Sequence, residues 1–146
     1  MSTITVQIAN KFYLEALRLA PDPKTLKATP SKLKDFCVVW DGETVEELAM
    51  GKKISGHNWP NKIAKINSFR DSFLKNEIQE TQIYVVKDIN YSESLIIDGV
   101  HRSIGFYKAY LENPTIFQKI DLTYLFFESN RIHEMYDYAR LFLVNK

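Results

Sequence analysis

The fold is decided by one stretch in the second half of the chain, Leu95-Ile96-Ile97-Asp98-Gly99-Val100-His101-Arg102-Ser103-Ile104-Gly105. Its first three residues form an apolar run typical of a buried strand, and Gly99 allows a tight turn. Beyond the turn, apolar residues recur at helical spacing, at Ile104, Tyr107 and Leu111. The stretch therefore predicts a strand, a turn and then a helix from Arg102 to Asn113.

A strand, a glycine turn and a helix in this order are the parts of an anion-binding site. The first amides of a helix have no partner within it, and the positive end of the helix dipole lies beside them. Phosphate contacts are therefore predicted at Gly99, His101, Arg102 and Ser103, where the arginine offers paired donors. Phosphoryl transfer also needs a group to position a nucleophile or hold Mg²⁺. Asp98 and His101 are the candidate catalytic residues.

Each of these residues also has a structural interpretation. Asp-Gly is common in type I′ hairpin turns, which would make the segment from Leu95 to Phe106 two strands. Asp98 would then act as a turn residue, and His101 would make a structural hydrogen bond. Arg102 would pair with a buried carboxylate such as Asp98, so that removing it would destabilise the fold.

A local excess of basic residues lies between Lys52 and Arg70. The residues concerned are Lys52, Lys53, His57, Lys62, Lys65 and Arg70, with Trp59 among them. The lysines would add positive charge to a phosphate cleft, and Trp59 would stack on a base. The same pattern suits a solvated helix face with Trp59 packed at the start of the helix. Nucleic-acid binding or processing through residues 52–70 is accordingly an alternative function.

The remaining sequence alternates between strand and helix patterns. Strands are predicted at residues 3–8, 36–40, 82–87, 94–97 and 121–127. Helices are predicted at 11–20, at 44–50 with a capping box of Thr44 and Glu47, at 63–74, and after a cap at Ser129. The proline-containing segment 21–34 is predicted to be a connecting loop, either without secondary structure or with a short turn of helix. We therefore expect one compact α/β domain, residues 1–146, with a small mixed sheet of about four to six strands.

Composition and charge exclude several classes of protein. The chain is 45% hydrophobic and 25% charged, which is typical of a globular domain. Its net charge of +1 gives no overall field toward nucleic acid or a membrane. Cys37 stands alone, so it is predicted to be a small buried hydrophobe. No stretch approaches the roughly 20 apolar residues that span a bilayer, which predicts a cytoplasmic protein with no membrane partner.

The sequence Asp98-Gly99-Val100-His101-Arg102 resembles the signature box of the ParB/sulfiredoxin superfamily. Members of that superfamily carry Gly-Glu-Arg-Arg, Gly-Gly-Cys-His-Arg or Asp-Gly-x-x-Arg at this place. The predicted order of elements from Trp59 to Phe127 is similar to theirs as well. The resemblance implies a nucleotide-handling core at about residues 59–127, with an N-terminal strand and helix and a C-terminal helix as additions.

The same resemblance implies roles for individual residues. Gly99, His101 and Arg102 would contact the phosphates of a nucleotide. The loop that carries His57, Trp59 and Lys62 would lie over the same cleft.

Departures from the family pattern limit what the resemblance implies. Val100 stands where sulfiredoxins have their reactive cysteine, so sulfinic acid repair is not expected. Ser103 replaces the second arginine of the partition proteins. The chain also ends soon after the last predicted strand, which is expected to leave no room for their helix-turn-helix DNA reader.

Nucleotide binding at residues 98–103 is therefore the expected function. The ligand would be a nucleoside diphosphate or triphosphate with Mg²⁺, and the reaction would be hydrolysis or phosphotransfer to a small acceptor. No resident metal site is predicted, because no Cys/His set has zinc spacing. A non-catalytic protein-interaction module is the third possibility, and the sequence leaves the oligomeric state open.

Overall fold

A computed structural model describes residues 13–38, 42–51, 59–76 and 83–135 of the chain. In chain order the elements are α1 (13–19), β1 (Lys24–Ala28), α2 (Pro30–Leu33), α3 (Val45–Ala49), α4 (Trp59–Leu74), β2 (Ile83–Asp88), β3 (Leu95–Asp98), α5 (Val100–Glu112), α6 (Pro114–Phe117), β4 (Leu122–Ser129) and the helical segment α7 (133–135). The predicted strand at residues 3–8 lies outside the described residues.

The four strands form one mixed sheet in the order β1-β4-β2-β3. β4 runs antiparallel to β1 and parallel to β2, while β2 and β3 form an antiparallel pair. Parallel strands need a long crossover, and β3, α5 and α6 provide it between β2 and β4. The predicted fold class, one compact α/β domain with a small mixed sheet, is confirmed.

Helices cover the sheet on both faces. On the first face, α2 to α6 bury Ile83 and Val85 of β2 together with Tyr124 of β4. On the second face, α1 together with Ile132 and Met135 at α7 buries Val86 and Phe127. Because β2 is covered on both sides, its sequence is apolar at consecutive positions instead of alternating.

The predicted signals at the ends of α3 and α4 are confirmed, whereas the predicted cap at Ser129 is wrong, because Ser129 ends β4 and α7 begins only at residue 133. The side chain of Thr44 accepts the backbone N–H of Glu47, and the Glu47 carboxylate accepts the backbone N–H of Thr44. Gly51 follows α3 with a positive φ of 106°. α4 stops two residues before Asn76, which has a φ of 57°. Both residues adopt the left-handed conformation that often follows the last turn of a helix.

The prediction for residues 21–34 is wrong where β1 forms, whereas its short turn of helix is present as α2. β1 occupies the edge of the sheet, where Leu26 and Ala28 face the first core and both of its lysines are exposed. Exposed lysines are common on edge strands because they oppose pairing with other chains. Pro30 then opens α2, for which its fixed φ is suited, and the Thr29 side chain caps it.

The predicted strand at residues 36–40 is reduced to one bridging residue in the described part. Cys37 forms isolated bridges with Thr44 and with Leu95, and residues 39–41 lie outside the described ranges. Cys37 is buried, as predicted. Among the described residues, no helix has the length and apolar character that crossing a membrane requires.

Candidate functional site

The predicted box forms a strand-turn-helix unit. β3 ends at Asp98, Gly99 is the N-cap with φ 88° and ψ 23°, and α5 runs from Val100 to Glu112. The alternative interpretation, a hairpin turn between two strands, is therefore wrong. The box lies at the end of the sheet where β3 finishes and β2 begins, since Asp98 pairs with Tyr84.

Gly99 is required at the turn for two independent reasons. Its positive φ is a conformation that L side chains rarely adopt. A Cβ at this position would also lie 2.5 Å from Cγ2 of Ile83 in β2. The backbone of the turn therefore sits directly on the start of β2. The β2–β3 pairing shifts register between Tyr84 and Val85, close to this turn.

The first turn of α5 divides into an anchored side and an outer side. Val100 is 9% exposed and belongs to the first core. His101 and Arg102 are half-buried at the outer side. The guanidinium carbon of Arg102 lies 5.8 Å from the ring centre of Phe69 in α4, a cation–π distance. α4 therefore holds the arginine at the start of α5.

Ser103 and Asp98 differ in how they contribute to the box. Ser103 is fully buried, and its hydroxyl donates to the carbonyl oxygen of Gly99 over 2.8 Å. That hydroxyl stabilises the turn, so we leave Ser103 out of the proposed phosphate contacts. Asp98 is exposed at the end of β3. Its predicted catalytic role stays a prediction.

Residues 52–70, the predicted basic segment, are described only in part. Lys52, Lys53 and His57 lie outside the described residues. Trp59 and Lys62 are in the first turn of α4, and their side chains also lie outside. Lys65 is exposed. Arg70 forms ion pairs with Asp71 at 2.9 Å and with Glu112 at 3.6 Å.

Two carboxylates in α3, those of Glu46 and Glu47, have structural contacts. Glu47 completes the cap of α3. Glu46 accepts a hydrogen bond of 3.3 Å from the hydroxyl of Tyr107 in α5. Burial of Tyr107, together with the negative charge of Glu46, raises the pKa of Tyr107 to about 12. This hydrogen bond connects α3 to α5.

A buried carboxylate–histidine pair, which the sequence did not predict, lies at the other end of the sheet. Asp88, the last residue of β2, is completely buried. Its Oδ2 lies 2.7 Å from Nδ1 of His133, whose side chain is 48% exposed. Asp88 and His133 are 45 residues apart, so no spacing rule links them. The only sequence signal was a polar residue ending an apolar strand.

No protein-family model matches the chain, and comparisons with curated proteins and with solved structures found no significant match. The resemblance of the box to the ParB/sulfiredoxin superfamily therefore stays a prediction. Within the described ranges, no group of three or more His, Cys, Asp or Glu side chains could hold a metal ion.

Proposed function

We propose that this chain binds the phosphate groups of a nucleotide at the N-terminus of α5. The observation that carries the proposal is the left-handed Gly99 at the N-cap. Gly99 makes no side-chain hydrogen bond to the first amides of the helix, and a helix N-terminus of this kind is a common site for anions. The same glycine lets an anion approach the backbone without meeting a Cβ.

The charge near this turn favours an anion. α5 has 13 residues, which is long enough for a full dipole whose positive end lies at Val100. Arg102 and His101 lie in the first turn, and the guanidinium of Arg102 lies over the Phe69 ring. A guanidinium held in this way can donate two parallel hydrogen bonds to a phosphate.

The resemblance of the box supports a nucleotide as the ligand in preference to free phosphate. Mg²⁺ usually binds through one or two carboxylates together with substrate phosphates and water. Asp98 is the exposed carboxylate beside the turn and would be that protein ligand. Magnesium would neutralise phosphate charge, while Asp98 and His101 would position a water molecule or a small acceptor for hydrolysis or phosphotransfer.

A thermal-shift panel of nucleoside mono-, di- and triphosphates, with and without Mg²⁺, tests the proposal. A ligand at 100 times its Kd adds about 2.7 kcal/mol to the free energy of unfolding. For a domain of this size, that raises Tm by about 5 to 11 °C. We expect a saturable rise with at least one nucleotide and a smaller rise with inorganic phosphate.

Other outcomes point to other functions. Affinity for oligonucleotides that falls steeply with salt, without a nucleotide shift, would favour nucleic-acid binding through residues 52–70. A melting curve that no nucleotide or oligonucleotide moves would contradict the proposal and favour a protein-interaction module.

A further inference from the structure

The pair formed by Asp88 and His133 lies away from the proposed nucleotide site. Asp88 ends β2 beside Ser129 of β4, whereas Asp98 and Gly99 lie next to the start of β2. The two sites are thus at opposite ends of the sheet. An inference about this pair is independent of the proposed nucleotide binding.

Among the described residues, three donors contact the buried carboxylate of Asp88. The backbone N–H of Asn90 donates to Oδ1 over 2.9 Å. The backbone N–H of His133 donates to Oδ2 over 2.9 Å, and Nδ1 of the same residue lies 2.7 Å from that oxygen. The backbone bond alone would hold the start of α7. The imidazole bond additionally fixes the orientation of the His133 ring.

The protonation of the pair follows from these contacts. Burial opposes ionisation of Asp88, but the hydrogen bonds from Asn90 and His133 outweigh it and hold the pKa of the carboxyl below its usual value. An ionised carboxylate can only accept, so Nδ1 of His133 must carry the hydrogen between them. In the neutral ring, Nε2 then has a lone pair, and the ring that carries it is half-exposed.

Among the described residues, Tyr91 and Ile89 give the surface near this ring exposed apolar side chains. Tyr91 is 43% exposed, and its ring meets the His133 ring edge to face with centroids 6.5 Å apart. Ile89, in the same turn, is 59% exposed. The charges of Arg131 and Glu134 offset each other through a 2.8 Å ion pair. Such a surface suits a neutral aromatic ligand better than a phosphate.

We propose that Asp88 and His133 form a general-base dyad that hydrolyses a neutral aryl ester lying against Tyr91. Nε2 takes a proton from a water molecule, whose oxygen forms a bond to the ester carbonyl carbon. The ester C–O bond then breaks, and the leaving phenolate takes the proton back from Nε2. Asp88 keeps the Nδ1 hydrogen bond throughout and stabilises the charged ring.

The probe is p-nitrophenyl acetate, with release of p-nitrophenolate as the readout. We expect His133→Ala to lower the protein-catalysed rate by about 100-fold, the lower range for a general base. After the rate of imidazole without protein is subtracted, added imidazole should still restore part of that rate, which a purely structural role would not allow. Lys75→Gln, an exposed change just after α4 on the other face of the sheet, should keep the wild-type rate.

Asp88→Asn separates the dyad from an ordinary surface histidine. If the variant folds, its rate should fall at least about tenfold, because a neutral amide cannot stabilise the charged ring as the carboxylate does. NMR of the His133 ring nitrogens in the wild-type protein shows which nitrogen carries the hydrogen, without any variant. We expect the hydrogen on Nδ1. Hydrogen on Nε2 of His133 would overturn the proposal. A wild-type rate in His133→Ala or in a folded Asp88→Asn protein would overturn it as well.

Discussion

Gly105 of α5 lies against Phe69 of α4 so closely that the contact leaves no room for a side chain. A Cβ on Gly105 would lie 2.6 Å from Cβ of Phe69 and 2.8 Å from the carbonyl oxygen of Ile66. The two helix backbones therefore meet at this glycine. The contact also brings the Phe69 ring beside Arg102, one turn earlier in α5. Helix packing and the geometry of the candidate site thus depend on the same residue.

Gly105→Ala should lower the free energy of unfolding. Alanine favours a helix over glycine by about 1 kcal/mol, and at an open position the change would stabilise the protein. Here the added methyl group must push α4 away at a cost of about 1 to 3 kcal/mol. Against the gain of about 1 kcal/mol in helix propensity, we expect a net loss of up to about 2 kcal/mol in urea unfolding. Ser68→Ala, on the exposed side of α4, should change stability by less than about 0.5 kcal/mol. A stabilised Gly105→Ala protein would contradict the close contact.

Gly99→Ala should cost more stability than Gly51→Ala. Both glycines have a positive φ, so alanine is strained at either position by about 1 to 2 kcal/mol. Only at Gly99 does the new Cβ also meet Ile83, whereas Gly51 has nothing within 4 Å. We expect overpacking to add about 1 to 3 kcal/mol at Gly99. If urea unfolding shows equal losses of unfolding free energy for the two variants, the close contact between Gly99 and Ile83 of β2 would be contradicted.

The parts of the fold that could be predicted from the sequence depend on short-range signals. The capping box pairs Thr44 with Glu47, three residues later, and both hydrogen bonds form inside one turn. The box from Leu95 to Gly105 combines an apolar strand, a glycine and a helical repeat in eleven consecutive residues. Such signals need no knowledge of the rest of the chain.

The missed features depend on contacts between distant segments. β1 has only two residues facing the core, and its strand geometry comes from pairing with β4 about a hundred positions away. The buried hydroxyl of Ser103 was predicted to face a ligand because sequence does not show which side of a helix is covered. Asp88 and His133 meet only after β2 and the end of β4 pair in parallel.

Tyr107→Phe should destabilise the protein near neutral pH and much less in strong alkali. The change removes the hydrogen bond to Glu46, worth about 0.5 to 1.5 kcal/mol. Folding raises the pKa of Tyr107 from 10.0 to about 12, so the folded state favours the protonated phenol. That stabilisation is complete below pH 10 and is lost as the pH rises through 12. Urea unfolding of both proteins between about pH 8 and 12 measures the gap, and a gap that stays constant would contradict this account.

Asp88→Asn should show the opposite pH dependence. The pKa of Asp88 is lowered by folding, so the folded state favours the ionised carboxylate. Its contribution is present above the ordinary pKa of 3.8 and is lost as the pH falls through the lower folded value. We expect the variant to be less stable by about 1.5 to 3 kcal/mol at pH 7, the worth of a hydrogen bond to a charged group. The difference should shrink below about pH 4 in acid unfolding curves, and a difference that grows there would be inconsistent with an ionised Asp88.

Arg102→Ala distinguishes a phosphate contact from a structural ion pair. If the guanidinium binds phosphate, nucleotide affinity measured by calorimetry should fall about 10- to 100-fold, corresponding to about 1.5 to 3 kcal/mol. Without ligand, loss of the contact with the Phe69 ring should cost about 0.5 to 1 kcal/mol. Arg102→Lys should recover part of the affinity, because it keeps the charge without the planar pair of donors. Arg131→Ala, an exposed arginine at the opposite end of the sheet, should leave affinity unchanged. A loss of about 3 to 5 kcal/mol in the ligand-free protein, with affinity unaltered, would instead show that Arg102 neutralises a buried carboxylate.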